Sequence, residues 1–198
     1  MSWVLPIGLA VAVAFFLKAF IVQPMRVAGP SMEPNLTNRE TMLIFKTAPI
    51  HRGSVVTFDA YGVDPSLYSS RIYVKRVIGI PGDTVKSKNG TIYVNGKAIS
   101  QSYISKKQRT SGTKNWDLKS LSEDYMWLKY RDATKVPENY YFVLGDNRSV
   151  SKDSRYIGFV PKQNIIGVAK VPPVFSGKNA AQRDVINVQW KSFWKSKK

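Results

Sequence analysis

The sequence predicts a mainly β protein, an antiparallel β-sheet core with a small inserted β and loop region, preceded by one N-terminal transmembrane helix. Three observations carry that reading. Residues 4 to 22 are apolar apart from Lys18. Runs of β-branched and aromatic residues recur downstream, as strands require. Asn89-Gly90 and Asn95-Gly96 are the strongest short hairpin signals in the chain.

The first element is the apolar run from Val4 to Val22. As a helix it would span about 28 Å, close to the hydrocarbon thickness of a bilayer. Pro6 falls in the first turn, where a proline costs little, and Trp3 suits the aromatic belt. Lys18 is near enough to the far end to snorkel. The run is long for the core of a cleavable leader and lacks a basic start, so it reads as a retained anchor over residues 1–23.

Strands follow. Val55–Phe58 and Ile72–Ile78 come first. Thr84–Ser87, Thr91–Val94 and Lys97–Ile99 form a three-strand meander around the two Asn-Gly turns. Tyr140–Leu144 and Ile165–Val171 complete the set, and Pro172-Pro173 ends the last. Residues 100–136 are polar and read as a surface insertion in a domain over 24–173 that packs one small element on the core, with Tyr125-Met126-Trp127-Leu128 as its apolar patch. Residues 174–198 form a basic aromatic tail. Trp190, Phe193 and Trp194 share a helical face, while Ile186, Val188 and Trp190 alternate as in a strand. Either form suits a membrane surface.

Composition narrows the chemistry. There is no cysteine, which excludes disulfides and thiolate catalysis. The single histidine, His51, excludes a multi-histidine metal centre, and a Ser-His-Asp protease would have to use it. No metal or cofactor is expected. The net charge is +17. Beside an apolar N-terminal run and without a nucleic-acid-binding motif, it points to anionic lipid rather than nucleic acid.

Three segments carry the function. Ser31 lies in Gly29-Pro30-Ser31-Met32-Glu33-Pro34, just beyond the apolar run. Lys75 lies in Tyr73-Val74-Lys75-Arg76-Val77-Ile78-Gly79, where alternation turns Arg76 to the opposite face. Gly145-Asp146-Asn147-Arg148-Ser149-Val150-Ser151-Lys152-Asp153-Ser154-Arg155 comes last. A lysine can activate a serine only when neutral, and burial among apolar neighbours lowers its pKa to about 7–8. In this order and spacing the segments resemble the type I signal peptidases, membrane-bound Ser/Lys proteases that remove signal peptides from exported proteins. The glycine at position 29 is similar to Gram-positive members.

The resemblance implies Ser31 as nucleophile and Lys75 as general base. It implies that Ser151 hydrogen-bonds the lysine amine and that Asp153 and Arg155 pair as support. The oxyanion would meet the Ser31 backbone N–H. Gly29 stands where some relatives carry a serine hydroxyl and would offer the oxyanion only its backbone, which leaves the identity of the second donor open. Val27, Met32, Leu36, Tyr73 and Val74 would line pockets for small side chains, with an apolar rim around Met25 and Met32. The implied partners are preproteins bearing signal peptides. The implied setting is a monomer crossing the cell membrane once, N-terminus cytoplasmic and catalytic domain outside. The alternative is a catalytically inactive, membrane-tethered paralogue that binds the cell envelope.

Overall fold

The computed structural model describes residues 3–110, 112–123, 127, 129–175 and 177–187. Helix α1 is Val4–Phe16, followed by π-helical turns over Leu17–Ile21. Strand β1, Val22–Arg26, starts at once. The expected transmembrane helix over 4–22 is therefore corrected: 13 residues of α-helix rise about 20 Å, short of a bilayer core of about 30 Å. Among the described residues no helix is long and apolar enough to cross a membrane. The sheet competes for the far end of the run. Val22 pairs with Phe45, and Lys46 fastens the helix end through its N–H to Ile21 O and its Nζ to Ala19 O. Leu5, Ile7, Leu9, Val11, Val13 and Phe15 of α1 are exposed.

Next come β2 (Thr41–Phe45), β3 (Val55–Asp59) and β4 (Ile72–Gly79). Strands β5 (Val85–Lys88), β6 (Thr91–Val94) and β7 (Lys97–Ala98) form the predicted meander. Its turns place Asn89, Gly90, Asn95 and Gly96 all at positive φ, as type I′ turns demand. Helix α2 is Lys106–Thr110, β8 Trp116–Asp117 and α3 Leu118–Ser122. Then follow β9 (Tyr140–Leu144), α4 (Ser154–Ile157), β10 (Val160–Pro161), β11 (Ile165–Lys170) and α5 (Ala180–Ile186).

Seven strands form one sheet in the order β1-β2-β11-β3-β4-β9-β10, and β7-β6-β5-β8 form a second. Every paired register is antiparallel. Pro24 is tolerated because β1 lies on the edge.

The region over 100–136 packs on the core at more than its apolar patch. Trp116, Leu118, Trp127 and Val136 are buried with Ile78, Phe142 and Phe159. Tyr125, Met126 and Leu128 lie outside the described residues, as does the tail from Val188 onward. The start of the tail is docked: Ile186 joins Met32, Leu36 and Val74 in the core, and Asn187 exchanges two hydrogen bonds with the Val171 backbone.

Candidate active site

Strand β4 builds the site because it is buried on both faces from Val74 to Gly79. Alternation sends Lys75 and Arg76 to opposite faces, as expected, yet neither face is solvent: Lys75 is 3% exposed and Arg76 1%. The two cations meet opposite environments.

Among the described residues no carboxylate lies in hydrogen-bonding reach of Lys75. Its Nζ lies 3.0 Å from Ser31 Oγ and 3.0 Å from Val74 O. Burial pushes its pKa down to about 8; Asp153 and Asp146 pull weakly upward and Arg155 downward. An ammonium there donates to Ser31 Oγ, whereas a neutral amine accepts from the hydroxyl.

Arg76 is held as a cation. Its Nε and Nη2 reach Asp146 Oδ1 and Oδ2 at 2.9 and 2.8 Å, a bidentate fork. Its Nη1 donates to Gly53 O and to Val185 O of α5. Burial opposes its charge, but Asp146 more than offsets this and raises its pKa.

Register brings the third segment in. Arg76 pairs with Leu144, so the chain leaves β9 at Gly145 directly beside the two cations. Asn147 N donates to Ser31 O at 3.0 Å and Asn147 Nδ2 to Pro30 O, which clamps the serine turn. Asn35 Nδ2 donates to Asp146 Oδ2 at 2.8 Å. Asp153 and Arg155 pair through two 2.8 Å bonds, as expected, and Gly145 N donates to Asp153. Burial resists ionisation of Asp153, but Arg155 and the Gly145 N–H hold its carboxyl below the usual range. Arg155 also binds the Gly112 carbonyl, and Arg148 donates to Gln101 and Tyr103. The insertion thereby braces the site.

Gly145 is demanded by contact. A Cβ there would lie 2.1 Å from Ser151 Oγ and 2.6 Å from Ser31 O. Gly145→Ala is therefore expected to displace Ser31 and to lower kcat/KM about 100-fold or more. Steady-state cleavage kinetics check this; a loss under threefold would refute it.

Three expectations differ. Ser151 makes no hydrogen bond to Lys75: its Oγ is buried without a partner of proper geometry, although it stands close enough to Asp153 to help hold that carboxyl low. Lys75 Nζ already has Ser31 and Val74 as acceptors. Gly29, at φ +90°, commits its N–H to Asn38 Oδ1 at 3.1 Å, which occupies it as an oxyanion donor. Of the five pocket residues, only Tyr73 and Val74 line the cleft over Ser31. Val27, Met32 and Leu36 are packed into the core behind it, which suits their size and complete apolarity. The cleft, about 530 Å³, is also lined by Met25, Ala28, Ile72 and Val150. Met25 thus forms the rim without Met32.

His51 is exposed in the turn before β3 and is absent from the cleft lining. A Ser-His arrangement has no place here. Among the described residues no group of acidic or histidine side chains could hold a metal ion.

Comparison with known proteins agrees with this geometry. The family model described as signal peptidase, peptidase S26, matches residues 1–174. The chain belongs to that family. It is 36% identical over 180 residues to signal peptidase IB of Staphylococcus aureus, covering 84% of this chain and 85% of that one. It is 37% identical over 177 residues to signal peptidase I of Bacillus licheniformis, covering 85% and 86%. The crystal structure of a signal peptidase I from Enterococcus faecalis V583 superposes with a TM-score of 0.50 at 32% identity, over 61% of this chain and 97% of that one. The expected resemblance to Gram-positive enzymes holds. The inactive-paralogue alternative finds no support.

Proposed function

We propose that this chain is a membrane-bound serine endopeptidase that removes signal peptides from preproteins, with Ser31 as nucleophile and Lys75 as general base. The observation that carries the reading is the 3.0 Å contact between Lys75 Nζ and Ser31 Oγ, with the lysine buried and without a hydrogen-bonded carboxylate. Neutral Lys75 takes the Ser31 proton as Oγ attacks the scissile carbonyl. The resulting ammonium returns that proton to the leaving amine, and an acyl-enzyme remains on Ser31. Water then attacks the ester, Lys75 again accepting its proton and passing it to Ser31 Oγ as the acyl bond breaks, and the cut signal peptide leaves. The Ser31 N–H stabilises the oxyanion. Ser151 supports the site through its place against Gly145 and Asp153, and the Asp153–Arg155 pair stiffens the segment. Small side chains of the substrate enter beside Tyr73 and Val74. The test is cleavage of a preprotein with an Ala-x-Ala site in detergent; product at that site supports the reading, and intact substrate with folded enzyme rejects it.

The apolar α1 supports membrane attachment. Its exposed Leu, Ile, Val and Phe side chains form a surface that needs a nonaqueous partner. In this reading residues 1–23 anchor the chain at the bilayer, residues 24–173 form the catalytic domain outside the cytoplasm, and 174–198 extend from it. The net charge of +17 favours anionic lipid. Protease added to intact cells is expected to degrade the catalytic domain; full protection would reverse the orientation.

The pH dependence follows from Lys75. Only the neutral amine is a base, and burial sets its pKa at about 8. Activity is expected to rise with pH through 8 and level off above about 9, with roughly a tenth of the plateau at pH 7. A kcat/KM profile flat from pH 6, or still rising steeply near 10, would contradict this.

A further inference from the structure

Asp64 has no part in the proton path, yet it is almost wholly buried, 1% exposed, in the loop between β3 and β4. Its Oδ2 accepts from Tyr73 Oη at 2.8 Å. Its Oδ1 accepts from Lys152 Nζ at 2.6 Å, from Ser66 N at 3.0 Å and from Ser66 Oγ at 2.8 Å. Burial works against its charge, but Lys152, Ser66 and Tyr73 hold the carboxyl below its usual value. It is therefore an anion at working pH.

Its two long-range partners both line the cleft. Tyr73 is two residues before Lys75 on the same face of β4, and its ring centroid lies 5.0 Å from Lys75 Nζ. Phe58 meets that ring edge-on at 5.9 Å. Lys152 stands between Ser151 and Asp153. One carboxylate thus ties a residue beneath the base to a residue of the segment that clamps the nucleophile. A tyrosine ring free to change rotamer would open the wall beside Lys75 to water. A buried charge-assisted bond at its hydroxyl removes that freedom.

We infer that Asp64 is a positioning residue: its carboxylate fixes the Tyr73 ring beneath Lys75 and ties Lys152, with the Ser151–Asp153 segment, to the facing wall of the cleft. The inference rests on the assignment of Ser31 and Lys75 as the reacting pair. Because Asp64 acts through the Tyr73 hydroxyl, its effect is coupled to that hydroxyl and falls on kcat more than on KM.

The test is a double-mutant cycle on the full chain in detergent, with a preprotein substrate. Tyr73→Phe and Asp64→Ala are each expected to lower kcat about tenfold, and the double variant to be no more than about twofold worse than Tyr73→Phe. Asp64→Asn, whose amide oxygen can still accept from the hydroxyl, is expected to retain more activity than Asp64→Ala. If Asp64→Ala does not fold, Asp64→Leu, which also lacks an acceptor and fills a similar volume, serves in the same cycle. Multiplicative losses, or a change confined to KM, overturn the inference. Ser31→Ala in the same assay separates the two readings: if it still cleaves, the reacting pair is wrong; if it is inactive and the cycle is multiplicative, only the role of Asp64 fails.

Discussion

Lys75→Met is expected to abolish cleavage and to stabilise the protein at the same time. Removing either member of a coupled nucleophile–base pair costs at least about 10³-fold in kcat, so Ser31→Ala and Lys75→Met should both fall to background. Stability should separate them. Lys75 has a pKa of about 8 when folded against 10.5 when free. Below pH 8 the unfolded chain therefore binds its proton more tightly, and folding bears the full cost of burying this amine. That cost declines as pH rises from 8 to 10.5 and is gone above it. At pH 7 it comes to about 3 kcal/mol. Methionine fills a similar volume without the cost but gives up the bonds to Ser31 and Val74. A Tm rise of roughly 3–6 °C at pH 7 is expected, shrinking toward pH 10. Ser31→Ala should leave Tm nearly unchanged. Residual cleavage by Lys75→Met, measured on a preprotein substrate, would assign the base elsewhere.

Asp146→Ala is expected to damage the fold more than any substitution in the cleft. It strands the Arg76 guanidinium, 1% exposed, without its counter-charge and removes one of the two acceptors of Asn35 Nδ2, Tyr103 O being the other. Breaking a buried pair from one side costs about 3–5 kcal/mol, a Tm loss on the order of 10 °C for a chain of this size. The Asp146→Leu, Arg76→Met double variant removes both charges and should recover most of the loss. Thermal unfolding of the set checks this. If Asp146→Ala melts within 2 °C of the parent, the ion pair does not contribute as described.

The reacting groups were legible because their chemistry constrains their sequence. Lys75 among Val74, Val77 and Ile78 fits a buried neutral amine, but the strand pattern alone fits an exposed lysine as well, and the resemblance carried by all three segments decides between them; Asn-Gly pairs announce turns. The surroundings were harder to read, for physical reasons. Thr41–Phe45 alternates as a strand should, burying Met42 and Ile44, yet no turn dipeptide frames it. In β1 only Val22 belongs to the apolar run, whose hydropathy does not reveal that the sheet takes its last residue, and Gln23-Pro24-Met25-Arg26 carries no strand pattern. Met32 and Leu36 stand near the nucleophile in sequence but turn inward. Asp64 is 88 residues from Lys152, and only the folded chain brings them together. Trp116 sits in a polar stretch, outside the apolar patch that holds Trp127, so its part in the core depends on tertiary contact.

The adjacency of Lys75 and Arg76 on a strand buried on both sides has a consequence for biosynthesis. A slip of one residue in β4 would exchange the faces of the two side chains. Slipped one way, arginine would stand against the serine, where it cannot lose its proton at any physiological pH. Slipped the other way, lysine would meet Asp146 without a fork to match it, and the serine would face no lysine. The mispaired product would be a peptidase with no base and an ill-fitting core, prone to clearance and unable to cut. The base is thus tied to correct strand registration: a copy with β4 out of register would be inactive.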